Sequence, residues 1–140
     1  MTVQSLARWR VVTVTPETPA NEIARTMRDA GVGSAVVLED DRPIGIVTDR
    51  DLALDVLGTD ADPTAVTARD VMSGKLVTVP AEADALDAIR RMHEENVRRL
   101  PVVHDDGRLA GIVTMDDFFV LLASEALGLA DVVEAESPPS

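Results

Sequence analysis

One unit is written twice in this chain. Shifting the sequence by 65 residues lays Thr2 on Thr67, Val12-Thr13-Val14 on Val77-Thr78-Val79, and Met27 on Met92. After one inserted residue the shift becomes 66, and Gly45-Ile46-Val47-Thr48 falls on Gly111-Ile112-Val113-Thr114. A repeat of about sixty residues constrains the fold strongly, because one supersecondary unit cannot cover its own apolar face. Two copies covering each other is the economical solution.

Each copy carries the same pattern. Short β-branched runs at 11–14 and 76–79 end at turns around Pro16 and Pro80. Amphipathic helices are predicted over 19–30 and 83–96. Ile23, Met27 and Ala30 share one face of the first, while Leu86, Ile89, Arg90 and His93 share one side of the second. Gly31 and Gly33 are suited to closing the first helix. Strand pairs are predicted at 35–38 with 44–48 and at 100–103 with 109–114. Their turns are Asp40-Asp41-Arg42-Pro43 and Asp105-Asp106-Gly107-Arg108. A further helix starts after each threonine. The expected fold class is α+β (mixed α/β), two β-α-β-β-α repeats forming one compact pair. The expected divisions are repeat 1 at 1–57, a linker at 58–66, repeat 2 at 67–130 and a disordered acidic, proline-containing tail at 131–140. The last helix is apolar nearly all round from Phe118 to Leu122, which predicts burial against a second chain. Trp9, in the lead-in, is expected to cover an edge of the first repeat.

Composition narrows the function classes. Aromatics are 2% of 140 residues, so the core must be aliphatic. No apolar run reaches the roughly 20 residues of a membrane span, and no leader is evident at the start. Without cysteine there are no disulfides, thiolate metal sites or cysteine nucleophiles. A cytoplasmic protein with no membrane partner is the expectation. A net charge of -12 argues against nucleic acid, which needs a basic footprint. Lys75 is the only lysine among 13 basic residues. The acidic, lysine-poor balance suits a salt-loving cytoplasm, or an ordinary acidic surface with a coding bias toward arginine.

Thr48 with Asp51, and Thr114 with Asp117, admit two readings. Ser/Thr-x-x-acid at a helix start resembles a capping box, with the acid near the positive end of the dipole. The same geometry suits a nucleotide: phosphate at the threonine and the exposed N–H groups, ribose hydroxyls on the carboxylate. His93 and His104 lack ligand-spaced partners, and the paired aspartates are explained as turns. No nucleophile–base pair, glycine-rich phosphate loop or facing carboxylates suggest catalysis, so no enzyme activity and no metal are expected.

Together the duplicated unit, the two Gly-Ile-Val-Thr-x-x-Asp ends, Arg98-Arg99-Leu100-Pro101-Val102-Val103 and Arg69-Asp70-Val71-Met72 resemble a tandem cystathionine-beta-synthase (CBS) domain protein, over residues 2 to 122. The resemblance implies repeats related by a pseudo-twofold, homodimerisation into a disc, and two clefts for adenosyl ligands such as AMP, ADP, ATP or S-adenosylmethionine. It implies one cleft from Ile46, Thr48, Arg50 and Asp51 with Thr67, Val97 and Arg98, Arg99 reaching phosphate beside it. The other would use Ile112, Thr114 and Asp117 with Thr2, Val32 and Ser34. Gly33-Ser34 stands where the second copy has Arg98-Arg99, and Asp116 adds negative charge, so the Thr48/Asp51 cleft is expected to bind phosphate better. The implied function is a regulatory ligand sensor that acts on an unknown effector protein and requires no cofactor. The alternative is a ligand-free adaptor dimer.

Overall fold

The computed structural model describes residues 1–7 and 11–136; the expectation for Trp9 falls outside them. The duplication reappears as two three-stranded sheets. The first has β1 (Thr13–Val14), β2 (Ser34–Glu39) and β3 (Arg42–Thr48); the second has β4 (Val79–Pro80), β5 (Arg99–Val103) and β6 (Leu109–Thr114). In both, the first strand pairs parallel with the central one, which pairs antiparallel with the third. The parallel connections run through α2 (Ala20–Ala30) and α5 (Ala85–Glu95). Gly31 ends α2 with φ 67°, the left-handed C-cap its sequence suggests, and Asn96 ends α5 with φ 54°.

Both first strands are two residues long, shorter than the sequence predicts, and the fourth strand is set one step later than β1 for a specific reason. In the first sheet the Val36 N–H donates to the Val12 carbonyl at 2.9 Å. The matching residue in β5 is Pro101, which has no N–H to give. Pairing therefore begins one step later, at Val79 with Val102.

The lead-in segments are exchanged between repeats. α1 (Val3–Leu6) lies against the second sheet: Val3 N–H donates to Ala83 O at 2.8 Å, and Gln4 N–H to Ala81 O at 3.0 Å. α4 (Ala68–Val71) does the same to the first repeat, with Ala68 N–H to Thr18 O and Arg69 N–H to Pro16 O, both 2.9 Å. Each core therefore contains a residue from the other copy. Val3 packs among Val79, Ala88, Met92, Leu100 and Val113; Ala68 and Val71 pack among Ile23, Met27, Val37 and Val47. The hairpin turns clasp as well. Arg42 donates through Nη2 to Asp106 O at 2.9 Å, and Arg108 through Nη2 to an Asp41 carboxylate oxygen at 3.0 Å. The two repeats are thus tied at both places.

Several helical expectations change. On α5 the buried residues are Ala85, Ala88 and Met92, matching Ala20, Ile23 and Met27 of α2. Leu86, Ile89, Arg90 and His93 do share a side, but it faces solvent, and so does Ala30 on α2. The small Ala88 is offset by Phe118, which joins the second core where the first has the smaller Leu52 beside Ile23. The first repeat's closing helix is a three-residue α3 (Asp49–Asp51) running into a π-helical stretch, Leu52–Leu57. The second is a 22-residue α6 (Met115–Glu136). It continues to Glu136 through residues expected to be disordered, because no helix breaker occurs before Pro138. Of α6 only Phe118 is buried within the single chain; Phe119, Val120, Leu122, Leu127, Leu129, Val132 and Val133 are exposed. No helix among the described residues is long and apolar enough to cross a membrane.

Candidate functional site

Both threonine ends close as capping boxes. Asp51 N–H donates to Thr48 Oγ1 at 3.1 Å, and Thr48 N–H to Asp51 Oδ2 at 2.9 Å. Thr114 N–H donates to Asp117 Oδ2 at 2.8 Å, and Asp117 N–H to Thr114 Oγ1 at 3.4 Å. Capping does not use up Asp51: among the described residues Oδ1 has no hydrogen-bond partner, and Asp51 lines a cleft. The structural role is established by these bonds, and a carboxylate with two oxygens has room for a second role.

Two adjoining clefts lie at the seam between the repeats. The smaller, about 190 Å³, gathers Ile46, Thr48 and Asp51 from the first repeat with Val97, Arg98 and Arg99 from the second. The larger, about 730 Å³, gathers Val32, Ser34, Thr48 and Arg50 with Arg98, Arg99, Ile112 and Thr114. Three predicted residues sit elsewhere. Thr67 caps α4, its N–H and hydroxyl both donating to Asp70 Oδ2, and pairs with Pro19. Those two bonds, backbone first, hold the Asp70 carboxyl below its ordinary range. Thr2 is the matching residue of the first copy, paired with Asp84. Their repeated position comes from lead-in exchange. Asp117 lies outside both cleft linings, and Arg50 lines the larger cleft instead of the predicted one.

The arginines also depart from expectation. The β5–β6 register sets Arg99 directly across from Thr114, so the start of β5 borders the Thr114 cleft as closely as the Thr48 cleft. Arg99 reaches over the seam: a Cβ added at Gly33 would lie 3.3 Å from its Nη2 and 3.0 Å from Asp49 Oδ2. A side chain at Gly33 would therefore press on two flexible side-chain tips at the seam, and Gly33 does not adopt the left-handed cap conformation of Gly31. Among the described residues neither Arg98 nor Arg99 makes an ion pair. The larger cleft also carries Asp49 and Asp116.

One cleft residue escaped sequence reasoning. Lys75 lines the smaller cleft with Ser73, Leu76 and Val77, and its ammonium pairs with Glu95, whose carboxyl it lowers. Its being the only lysine was visible, but nothing local in the sequence points it inward. No cluster of three or more His, Cys, Asp or Glu able to hold a metal occurs among the described residues.

Comparison with known proteins agrees with this architecture. The CBS domain family matches residues 3–58 and 68–124. An uncharacterized protein, MK0525 of Methanopyrus kandleri, is 44% identical over 118 residues, covering 84% of this chain and 60% of that protein. Archaeal inosine-5'-monophosphate dehydrogenases are 33–36% identical over 76–78% of this chain, which spans only 21–22% of their length. The crystal structure of Hypoxic Response Protein I with two coordinated zinc ions has a TM-score of 0.76 at 31% identity, covering 84% of this chain and 96% of that one. A CBS domain protein of Pyrobaculum aerophilum complexed with AMP has the same fold, with a TM-score of 0.76 at 23% identity over 84% of this chain and 89% of its own. With two domain matches across most of its length, the chain belongs to the CBS domain family.

Proposed function

We propose that this CBS pair is a non-catalytic regulatory module that binds an adenosyl compound (AMP, ADP, ATP or S-adenosylmethionine) at the seam and modulates an effector protein. The observation that carries this reading is the pair of guanidinium groups, Arg98 and Arg99, that make no ion pair among the described residues and stand between two threonine strand ends at the seam. Arginine with no carboxylate partner is suited to phosphate, which it can bind through two parallel hydrogen bonds. Val11, Val12, Val32 and Ile112 supply apolar wall for a base, and Asp51 Oδ1 an acceptor for ribose hydroxyls. A match confined to about a fifth of a dehydrogenase supports a module that accompanies an activity. Regulation requires the ligand to bind two arrangements of the pair with different affinity.

A thermal-shift panel of AMP, ADP, ATP and S-adenosylmethionine at low and high potassium chloride tests it. A ligand at a hundred times its Kd adds about 2.7 kcal/mol to the folded state, a rise of roughly 5–10 °C here. Each variant is compared with its own unliganded melt, because Asp51→Ala also removes a cap. Arg98→Gln, at an exposed residue with no ion pair among the described residues, is expected to keep the unliganded melt and lose most of the ATP shift. No shift from any adenosyl compound at either salt would favour the second reading, an adaptor whose clefts stay empty. The fully formed capping boxes support that reading, since they explain both Thr–Asp pairs without a ligand.

In either case the exposed apolar face of α6 supports a homodimer, because an uncovered strip of that size is costly in water. Sedimentation velocity is expected to give a dimer for the unaltered chain and a monomer for the double variant Phe119→Glu, Leu122→Glu. A monomeric unaltered chain would overturn the dimer.

A further inference from the structure

We infer that the two clefts draw on one shared set of cations, so that a chain holds a single polyphosphate ligand at a time although it has two clefts. The inference rests on the adenosyl-binding reading and deepens it. Arg98, Arg99 and Thr48 line both clefts. Their sharing follows from the register, which puts Arg99 opposite Thr114 while its guanidinium crosses toward Gly33. A symmetric duplication would supply a second set from the start of β2, but Gly33-Ser34 there carries no charge.

Among the described residues, the cations that are not shared do not replace them. Lys75 belongs to the smaller cleft alone and is committed to Glu95. Arg50 belongs to the larger cleft alone, which also holds Asp49 and Asp116. A polyphosphate in either cleft occupies the arginines. A second one then meets the charge of the first and of the aspartates with little left to offset it. A neutral adenosyl ligand makes no such demand.

Isothermal titration of the intact protein tests this. ATP is expected to bind at about one per chain, with any second equivalent weaker by roughly 5- to 150-fold, the usual range of coupling between sites. Adenosine added to the ATP-saturated protein is expected still to bind. Ser34→Arg, placed where the second copy has Arg99, is expected to raise the ATP count toward two; Asp116→Asn, at an exposed position, is expected to strengthen the second equivalent. A thermal melt of each variant confirms that it folds. Two equal ATP sites in the unaltered chain would overturn the inference and leave the adenosyl reading standing. Exclusion of adenosine as complete as that of a second ATP would mean simple overlap of the clefts, and would overturn the shared-cation account. Silence from ATP, AMP, adenosine and S-adenosylmethionine alike would overturn both.

Discussion

Leu100→Ala is expected to lower the stability of the chain by about 2–5 kcal/mol, the cost of removing a large aliphatic side chain from a packed core. Leu100 sits in β5, the central strand of the second sheet, and is fully buried. Its core also holds Val3 from the first copy, Met92 from α5 and Phe118 from α6, so the neighbours that would have to collapse into the cavity include three elements besides the sheet. Elements pinned from different directions relax little, which puts the cost toward the upper part of that range. A domain of this size has about 5–15 kcal/mol in total, so the loss is a large fraction of the whole. Leu86→Ala is the control. Leu86 is 59% exposed despite its place in the helical pattern, and its loss is expected to fall within about 0.5 kcal/mol. Urea unfolding of the two variants decides it, and equal midpoints would contradict the assignment of the core.

Val3→Asp is expected to be as damaging, and its damage should appear in the other repeat. Val3 is fully buried, and its contacts are with the second sheet, not with the first. An unpaired carboxylate there costs several kcal/mol if charged, and the folded state instead raises its pKa to keep it neutral. A raised folded pKa makes the variant relatively most stable below the unfolded value of about 3.9 and progressively worse as pH rises above it. Gln4→Asp, on an exposed neighbour, is expected to show no such pH dependence relative to the unaltered chain. Amide exchange gives the location. In Val3→Asp the amides of β5 and β6 should lose protection before those of β2 and β3. Faster exchange confined to the first sheet would contradict the exchange of lead-ins.

What sequence could and could not reveal divides along chain distance. The duplication was legible as a repeated string, and the Gly31 cap, both hairpins and the capping boxes at Thr48 and Thr114 were legible because they depend on residues within a few positions of one another. Lead-in exchange joins Val3 to Ala83 and Ala68 to Thr18, and no periodicity reports such a pairing. Thr2 and Thr67 were recognised as equivalent, and each stands at the start of an exchanged lead-in helix. The solvent-facing side of α5 was hidden because Leu86 and Ile89 carry helical spacing of their own, while the side actually buried is mostly alanine. Arg98 and Arg99 line the Thr48/Asp51 cleft to which they were assigned, and they line the neighbouring cleft as well, which the sequence could not show. A linear motif attaches a residue to one site, whereas the β5–β6 register sets it on the border of two.

The most direct test of the account is an ATP titration of isotopically labelled protein followed by backbone amide NMR. Binding at the seam predicts shifts clustered at Ser34, Thr48, Arg98, Arg99 and Thr114, from both repeats at once, with the amides of Leu127 to Val133 on α6 unmoved. Shifts confined to α6, or none at a concentration where the melt responds, would contradict a ligand site between the repeats.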